Sequence, residues 1–162
     1  MRLSQGFRAL GLCLLLAGAV QAAELYKAGG KFDGFSVADQ HGNAFTYKPG
    51  ACRFVIFEVA GEAGSSSQPR DPNWFDAHRA VLVVDISGLS SFKRRIARSR
   101  MEAKSFRILA VEDADLAGRF PREKDKFTVL TLDDQGLIAS VQFASAGKEL
   151  QDLVETSPKP LP

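Results

Sequence analysis

Residues 53–69 read RFVIFEVAGEAGSSSQP, an apolar run that stops abruptly at a loop of small and polar residues. Four consecutive apolar residues, 54–57, are typical of a strand buried on both faces, so residues 53–59 are predicted to form such a strand. The loop that follows is rich in glycine and serine and begins at Ala60-Gly61. In open α/β sheets ligands bind at the carboxyl ends of the strands. A functional site is therefore expected at this junction.

The rest of the chain alternates between strand and helix patterns and ends in an antiparallel pair. Besides the strand 53–59, the predicted elements are a hairpin 35–47 around a turn at 39–43, a helix 72–79 capped by Asp71, a strand 80–86, a helix 92–104, a strand 106–111, a short helix 113–120, a β-hairpin 127–143 and a last helix 147–155. This order predicts an α/β fold with a mixed central sheet, an N-terminal hairpin and helices on both faces.

The first 22 residues have the pattern of a cleavable secretory signal. Arg2 and Arg8 precede an apolar run at 9–20, and small residues follow, with the cut expected after Ala22. The apolar run has about a dozen residues, fewer than the roughly 20 that span a bilayer. We therefore expect a periplasmic or secreted protein, and an uncleaved membrane anchor is the alternative.

Removing residues 1–22 changes the bulk properties of the chain. It removes two arginines and no acidic residue, so the formal net charge falls from +2 to 0 and gives no support for nucleic-acid binding. It also removes Cys13 and leaves Cys52 as the single cysteine, which excludes an internal disulfide. The remainder suits one monomeric domain at 23–155, followed by a proline-rich tail at 156–162 that is predicted to be disordered.

Four segments together resemble the thioredoxin fold in its exported, redoxin or peroxiredoxin-type variety. They are residues 35–42, 53–59 and 81–86, and the strand–turn–strand sequence FTVLTLDDQGLI at 127–138. The chain is similar in particular to the small periplasmic YtfJ-like group, in which a strand ends in an Ala-Gly and Ser loop, here Ala60-Gly-Glu-Ala-Gly-Ser65. The resemblance implies a three-layer sandwich and brings no established activity with it.

The chain departs from redox-active members of this class at their catalytic loop. The resemblance places their Cys-x-x-Cys or peroxidatic cysteine at residues 61–66, where this sequence has no cysteine. Thiol–disulfide exchange needs an activated thiolate, which serine does not provide. Their cis-proline usually precedes the strand that begins here at Phe127, but residues 123–126 contain no proline. We therefore predict no catalytic residues, and a degenerate cleft whose candidate binding residues are Gly61, Glu62, Gly64, Ser65 and Ser66.

Cys52 supports an alternative, in which a redox enzyme or thiol sensor uses this lone cysteine together with a partner thiol. Lys48 and Arg53 are close in sequence and could lower its pKa. However, Cys52 lies before the strand 53–59, at its amino end, and a structural cysteine is the other interpretation.

The helix 92–104 supports a further alternative, in which a basic surface binds a protein partner or an anionic membrane. Leu89, Phe92, Ile96 and Ala103 fall near one face and predict that this face covers the sheet. The other face would be a solvated outer surface or the binding surface. The residues proposed for binding are Lys93, Arg94, Arg95 and Arg98.

No cofactor or metal site is predicted. The glycine-rich loop lacks the patterns of a phosphate-binding or dinucleotide-binding loop, and the two histidines, His41 and His78, have no metal-ligand spacing. Ser65, His78 and Asp85 are the residue types of a hydrolytic triad, but their spacing gives that activity no support.

Overall fold

The computed structural model describes residues 24–62 and 71–158. The predicted signal at 1–22 and the candidate residues Gly64, Ser65 and Ser66 lie outside these ranges. In chain order the elements are β1 (Ser36–Ala38), β2 (Ala44–Thr46), β3 (Phe54–Val59), α1 (Trp74–Ala77), β4 (Ala80–Asp85), α2 (Ser91–Glu102), β5 (Ile108–Val111), α3 (Ala114–Gly118), β6 (Phe127–Leu132), β7 (Ile138–Ala144) and α4 (Lys148–Thr156).

The strand β3 is the centre of a five-stranded sheet with the order β5-β4-β3-β6-β7. It pairs in parallel with β4, which pairs in parallel with β5. It pairs antiparallel with β6, which in turn pairs antiparallel with β7. The strands β1 and β2 form a separate antiparallel hairpin. The predicted mixed sheet and N-terminal hairpin are confirmed.

Both faces of the sheet are buried, as the apolar run in β3 predicts. Phe54 and Ile56 belong to one core cluster, which also contains residues of α1, α2 and α4. Val55 and Phe57 belong to the other cluster, which contains residues of α3 and of the N-terminal segment. Because successive residues of a strand point to opposite faces, one six-residue strand supplies both cores of a three-layer sandwich.

Aromatic residues on either side of the N-terminal hairpin pack into the core cluster on one face of the sheet. The ring of Tyr47 lies edge-on to the ring of Phe32, with 4.7 Å between centroids. Gly34 lies against Tyr47 so closely that a Cβ atom on Gly34 would be 2.3 Å from Tyr47 Cδ1. Gly34 also has φ of +73°, a conformation that favours glycine.

Two helices differ from their predictions. The helix predicted at 72–79 is shorter and begins at Trp74, because Asp71 Oδ1 accepts a hydrogen bond from the Asn73 amide (2.9 Å) in a turn before the helix. The prediction that Phe92 and Ile96 of α2 cover the sheet is wrong. Phe92 is 65% exposed and Ile96 is 39% exposed, while Met101 is the buried residue of this helix.

The C-terminal segment is tied to the amino end of β3. Thr156 ends α4, and Arg53 Nη2 donates a hydrogen bond to the carbonyl of Ser157 (2.8 Å) and another to that of Pro158. The first residues of the predicted disordered tail therefore have partners, and residues 159–162 lie outside the described ranges. Within 24–62 and 71–158, no helix has the length and apolar character that crossing a membrane requires.

Candidate functional site

The junction singled out in the sequence forms a tight turn directly after β3. The amide of Ala60 donates to the carbonyl of Asp85 (3.0 Å), and the amide of Glu62 donates to the carbonyl of Val59 (3.1 Å). Gly61 has φ of +91°, which the turn requires and which glycine adopts without strain. Of the two candidate binding residues that are described, Gly61 lines a cavity, whereas Glu62 is exposed and is not part of its lining.

This cavity has a volume of about 390 Å³ and lies between the sheet and the C-terminal part of α2. Its walls are mainly apolar and include Val84, Ala97, Met101 and Ile108. Within residues 24–62 and 71–158, its polar side chains are those of Glu58, Arg100 and Lys104. The volume and this combination of apolar walls with a few polar groups are typical of small-molecule sites.

Glu58 is the unusual residue of the cavity. It lies in β3 on the face that carries Phe54 and Ile56, and it is only 6% exposed. No side chain or amide within the described ranges donates a hydrogen bond to its carboxylate. Burial raises the pKa of Glu58 to about 7, although the positive charge of Lys104 acts in the opposite direction. A buried carboxyl group with a perturbed pKa in a cleft marks a candidate functional site.

Glu58 is not among the site residues predicted from the sequence, although the sequence contains a signal for it. Glu58 lies between Phe57 and Val59 inside a strand predicted to be buried on both faces, whereas the other charged residue of that strand, Arg53, is at its start. Charged residues are rarely buried without a partner, so such a position deserved selection as a site candidate.

Cys52 lies at the opposite end of β3 from Gly61. The six residues of β3 separate them by about 20 Å, at roughly 3.3 Å per residue. Cys52 is 5% exposed and packs in the core cluster that contains Tyr47 and Phe57. Burial raises the pKa of the Cys52 thiol to about 12, and the opposing effect comes from Arg79 rather than from the predicted Lys48 and Arg53.

The basic residues of α2 fall into two groups. Arg94 and Arg98 both form ion pairs with Glu112, the first at 3.2 Å. Within the described ranges, no carboxylate forms an ion pair with Lys93 or Arg95. These two residues lie next to the exposed side chains of Phe92 and Ile96 in the sequence. The predicted basic surface is therefore half neutralised, and its remaining charge accompanies exposed apolar groups.

A second buried carboxylate, Asp85, lies on the other face of the sheet and is fully partnered. Its Oδ1 accepts hydrogen bonds from the Ser87 amide (2.8 Å) and hydroxyl (2.6 Å), and its Oδ2 accepts one from Arg122 Nη2 (2.9 Å). The partners of Asp85 account for its burial, whereas the burial of Glu58 has no such explanation among the described residues.

No protein-family model matches the chain, and no curated protein matches it in sequence. Solved structures do match its fold. A PrxQ mutant from Xylella fastidiosa has a TM-score of 0.56 at 10% identity and covers 80% of this chain and 94% of its own. The peroxidoxin BcpB from Mycobacterium tuberculosis has a TM-score of 0.53 at 14% identity, with 81% and 96% covered. A thio-disulfide isomerase from Thermus thermophilus has a TM-score of 0.53 at 18% identity, with 83% and 99% covered.

These similarities, together with the sheet order, show that the chain has a thioredoxin-like fold of the redoxin type. The structures compared are those of thiol peroxidases and thiol–disulfide oxidoreductases, and at 10–18% identity they establish the fold alone. The closer similarity to the YtfJ-like group stays a prediction from the sequence.

Proposed function

We propose that this protein is an exported thioredoxin-like protein without redox catalysis, which acts as a binding or accessory module in the bacterial periplasm. The position and state of Cys52 carry the proposal. Its thiol is buried, has a pKa raised to about 12, and lies a full strand length from the loop where redoxins hold their cysteine. At neutral pH such a thiol contains almost no thiolate, which is the reactive form.

The cavity beside Gly61 supports the binding part of the proposal. It lies next to the loop where redoxin chemistry takes place, and it contains a buried carboxyl group without a described partner.

Export is proposed from the N-terminal pattern alone. N-terminal sequencing of protein from the periplasmic fraction should begin at Ala23, and recovery of the protein only in the cytoplasm would contradict export.

The catalytic part of the proposal is tested by insulin reduction and by peroxide consumption with a dithiol reductant. We expect no turnover above background, either for the protein or for its Cys52→Ser variant. Turnover that Cys52→Ser abolishes would establish the redox alternative that uses this thiol. Turnover that survives Cys52→Ser would reveal a different chemistry, and either result would overturn the proposal.

The surface of α2 favours a second candidate function, binding of a protein partner or of an anionic membrane. Phe92 and Ile96 are exposed, and the neighbouring Lys93 and Arg95 have no ion-pair partner in the described part of the chain. Together they form the combination of apolar and basic groups found on interfacial helices. Co-sedimentation with phosphatidylglycerol vesicles at low salt tests the lipid form. Binding should be lost in a Lys93→Gln/Arg95→Gln variant and kept in a Lys48→Gln/Lys124→Gln control of equal charge, and failure of the unchanged protein to bind removes the lipid form.

A further inference from the structure

The cavity under α2 combines groups that do not satisfy one another. Glu58, Arg100 and Lys104 all line it, yet neither cation forms an ion pair with Glu58 or with any other carboxylate in the described part of the chain. The ammonium group of Lys104 is close enough to oppose the rise in the pKa of Glu58. A buried carboxyl group and a cation thus share one void without direct contact, which leaves room for a polar group between them.

The charged groups around the void favour one kind of polar head group in a ligand over the others. An amine would pair with Glu58 but would be repelled by Lys104 and Arg100. An alcohol would satisfy one of these groups and leave the positive charges without a counter-ion. A carboxylate accepts a hydrogen bond from Lys104 and a second one from Glu58 in its protonated form, so it satisfies both at once.

The walls and the volume define the rest of the ligand. Val84, Met101 and Ile108 offer no hydrogen-bonding side chains, and 390 Å³ is near the small end of the range for ligand pockets. Building on the binding function proposed above, we propose that this cavity binds a small, mainly apolar monocarboxylic acid, with its acid group between Glu58 and Lys104 and its apolar part against α2.

The proposal implies that binding is coupled to protonation. Among the described residues, the charged groups that line the void with Glu58 are Lys104 and Arg100, while β4 and β5 contribute the apolar Val84 and Ile108. With a pKa of about 7, Glu58 is protonated below that pH and donates to the bound carboxylate. Above it, Glu58 must take up a proton from solvent on binding or face a second negative charge. The affinity should therefore fall as pH rises.

The test compares sodium hexanoate, hexanol and hexylamine, which share one apolar chain, by isothermal titration calorimetry in buffers without carboxylates. Near pH 6, hexanoate should bind about tenfold or more tightly than the other two, as expected for one charge-assisted hydrogen bond. Its affinity should fall roughly tenfold between about pH 6 and pH 8. Tighter binding of hexylamine, equal binding of hexanol, or no binding of hexanoate would overturn the proposal.

Three variants locate the binding. Lys104→Met should weaken hexanoate binding about tenfold, through loss of the charge. Glu58→Gln keeps a hydrogen-bond donor without a titrating group, so it should retain binding and lose the dependence on pH. Lys124→Met, at an exposed lysine outside the cavity lining, is the matched control and should change nothing. A pH dependence that persists in Glu58→Gln, or equal losses in Lys104→Met and Lys124→Met, would also overturn the proposal.

The redox assays keep the two proposals separable. Absence of hexanoate binding together with absence of turnover would overturn the ligand class and leave the non-redox function in place. Turnover in those assays would overturn the non-redox function whatever the calorimetry gives.

Discussion

At the scale of single residues, Glu58 should make the stability of the protein depend on pH. Its pKa is raised from 4.5 to about 7 in the folded protein, because burial disfavours the charged form. Below about pH 4.5, Glu58 is protonated in both the folded and the unfolded state and causes no loss of stability. As pH rises to 7, the free energy of unfolding falls by about 3 kcal/mol, because the unfolded state gives up this proton more readily than the folded state does. Glu58→Gln should remove this loss, so urea denaturation should find the variant more stable than the unchanged protein near pH 8.

The control for this prediction is Glu62→Gln, four residues further along the chain. Glu62 is exposed, so its substitution should leave the dependence on pH unchanged. If Glu58→Gln and the unchanged protein lose stability in parallel between about pH 5 and pH 8, Glu58 does not titrate in this range.

At the scale of secondary-structure elements, the N-terminal hairpin depends on the contact between Gly34 and Tyr47. A Cβ atom at Gly34 would overlap Tyr47 at Cβ and Cγ (2.8 Å each) as well as at Cδ1, so a simple rotation of the ring does not relieve the clash. The φ of +73° adds strain for any other residue. Gly34→Ala should therefore lower the free energy of unfolding by about 2 kcal/mol or more, measured by urea denaturation.

Two glycines separate the causes of this loss. Gly88 has open space around it, so Gly88→Ala should be nearly neutral. Gly42 also has open space but has φ of +85°, so Gly42→Ala should show the backbone strain alone, about 1 kcal/mol. A Gly34→Ala variant no less stable than Gly42→Ala would show that Tyr47 moves aside at little cost.

The helix α2 shows where periodicity stops being informative. Phe92 and Ile96 do lie one turn apart on the same side of the helix, as their spacing predicts, but the helix turns Met101 toward the core instead. The spacing of apolar residues defines a stripe, whereas the rotation of the helix about its axis depends on the strands beneath it. Met101 and Ala97 face β4 and β5 across a cavity, and nothing in the sequence of α2 alone encodes that gap.

At the scale of the whole molecule, Cys52 should report on global unfolding. Its thiol lies beside the central strand in a core cluster, so access to it requires the sheet to open. The raised pKa of about 12, against 9.0 for a free thiol, lowers the thiolate fraction roughly a thousandfold. In a Cys13→Ser background, a disulfide reagent near pH 8 should react with the native protein about a thousandfold more slowly than with the urea-unfolded chain. Comparable rates in both states would show that Cys52 is accessible in the folded protein.

The sequence predicts the architecture of the whole molecule better than its candidate site. Runs such as 54–57 and 127–132 encode buried strands locally, because a sheet covered on both faces needs continuous apolar sequence. The cavity is a product of tertiary packing, since it exists only where α2 stands away from the sheet. Glu58 is predictable only in part from the local sequence. Its presence in an apolar strand was visible in the sequence, but its lack of a partner depends on neighbours that are up to 50 residues away.

The hydrogen bonds from Arg53 to the carbonyls of Ser157 and Pro158 affect the orientation in which the protein can be immobilised. They hold the last described residues at the amino end of β3, about a strand length from Gly61 and the cavity. A label joined directly after Pro158 would leave the molecule on that side. Protein captured on a sensor surface through such a label would present the cavity toward the solution, in the orientation that a screen of small acids requires.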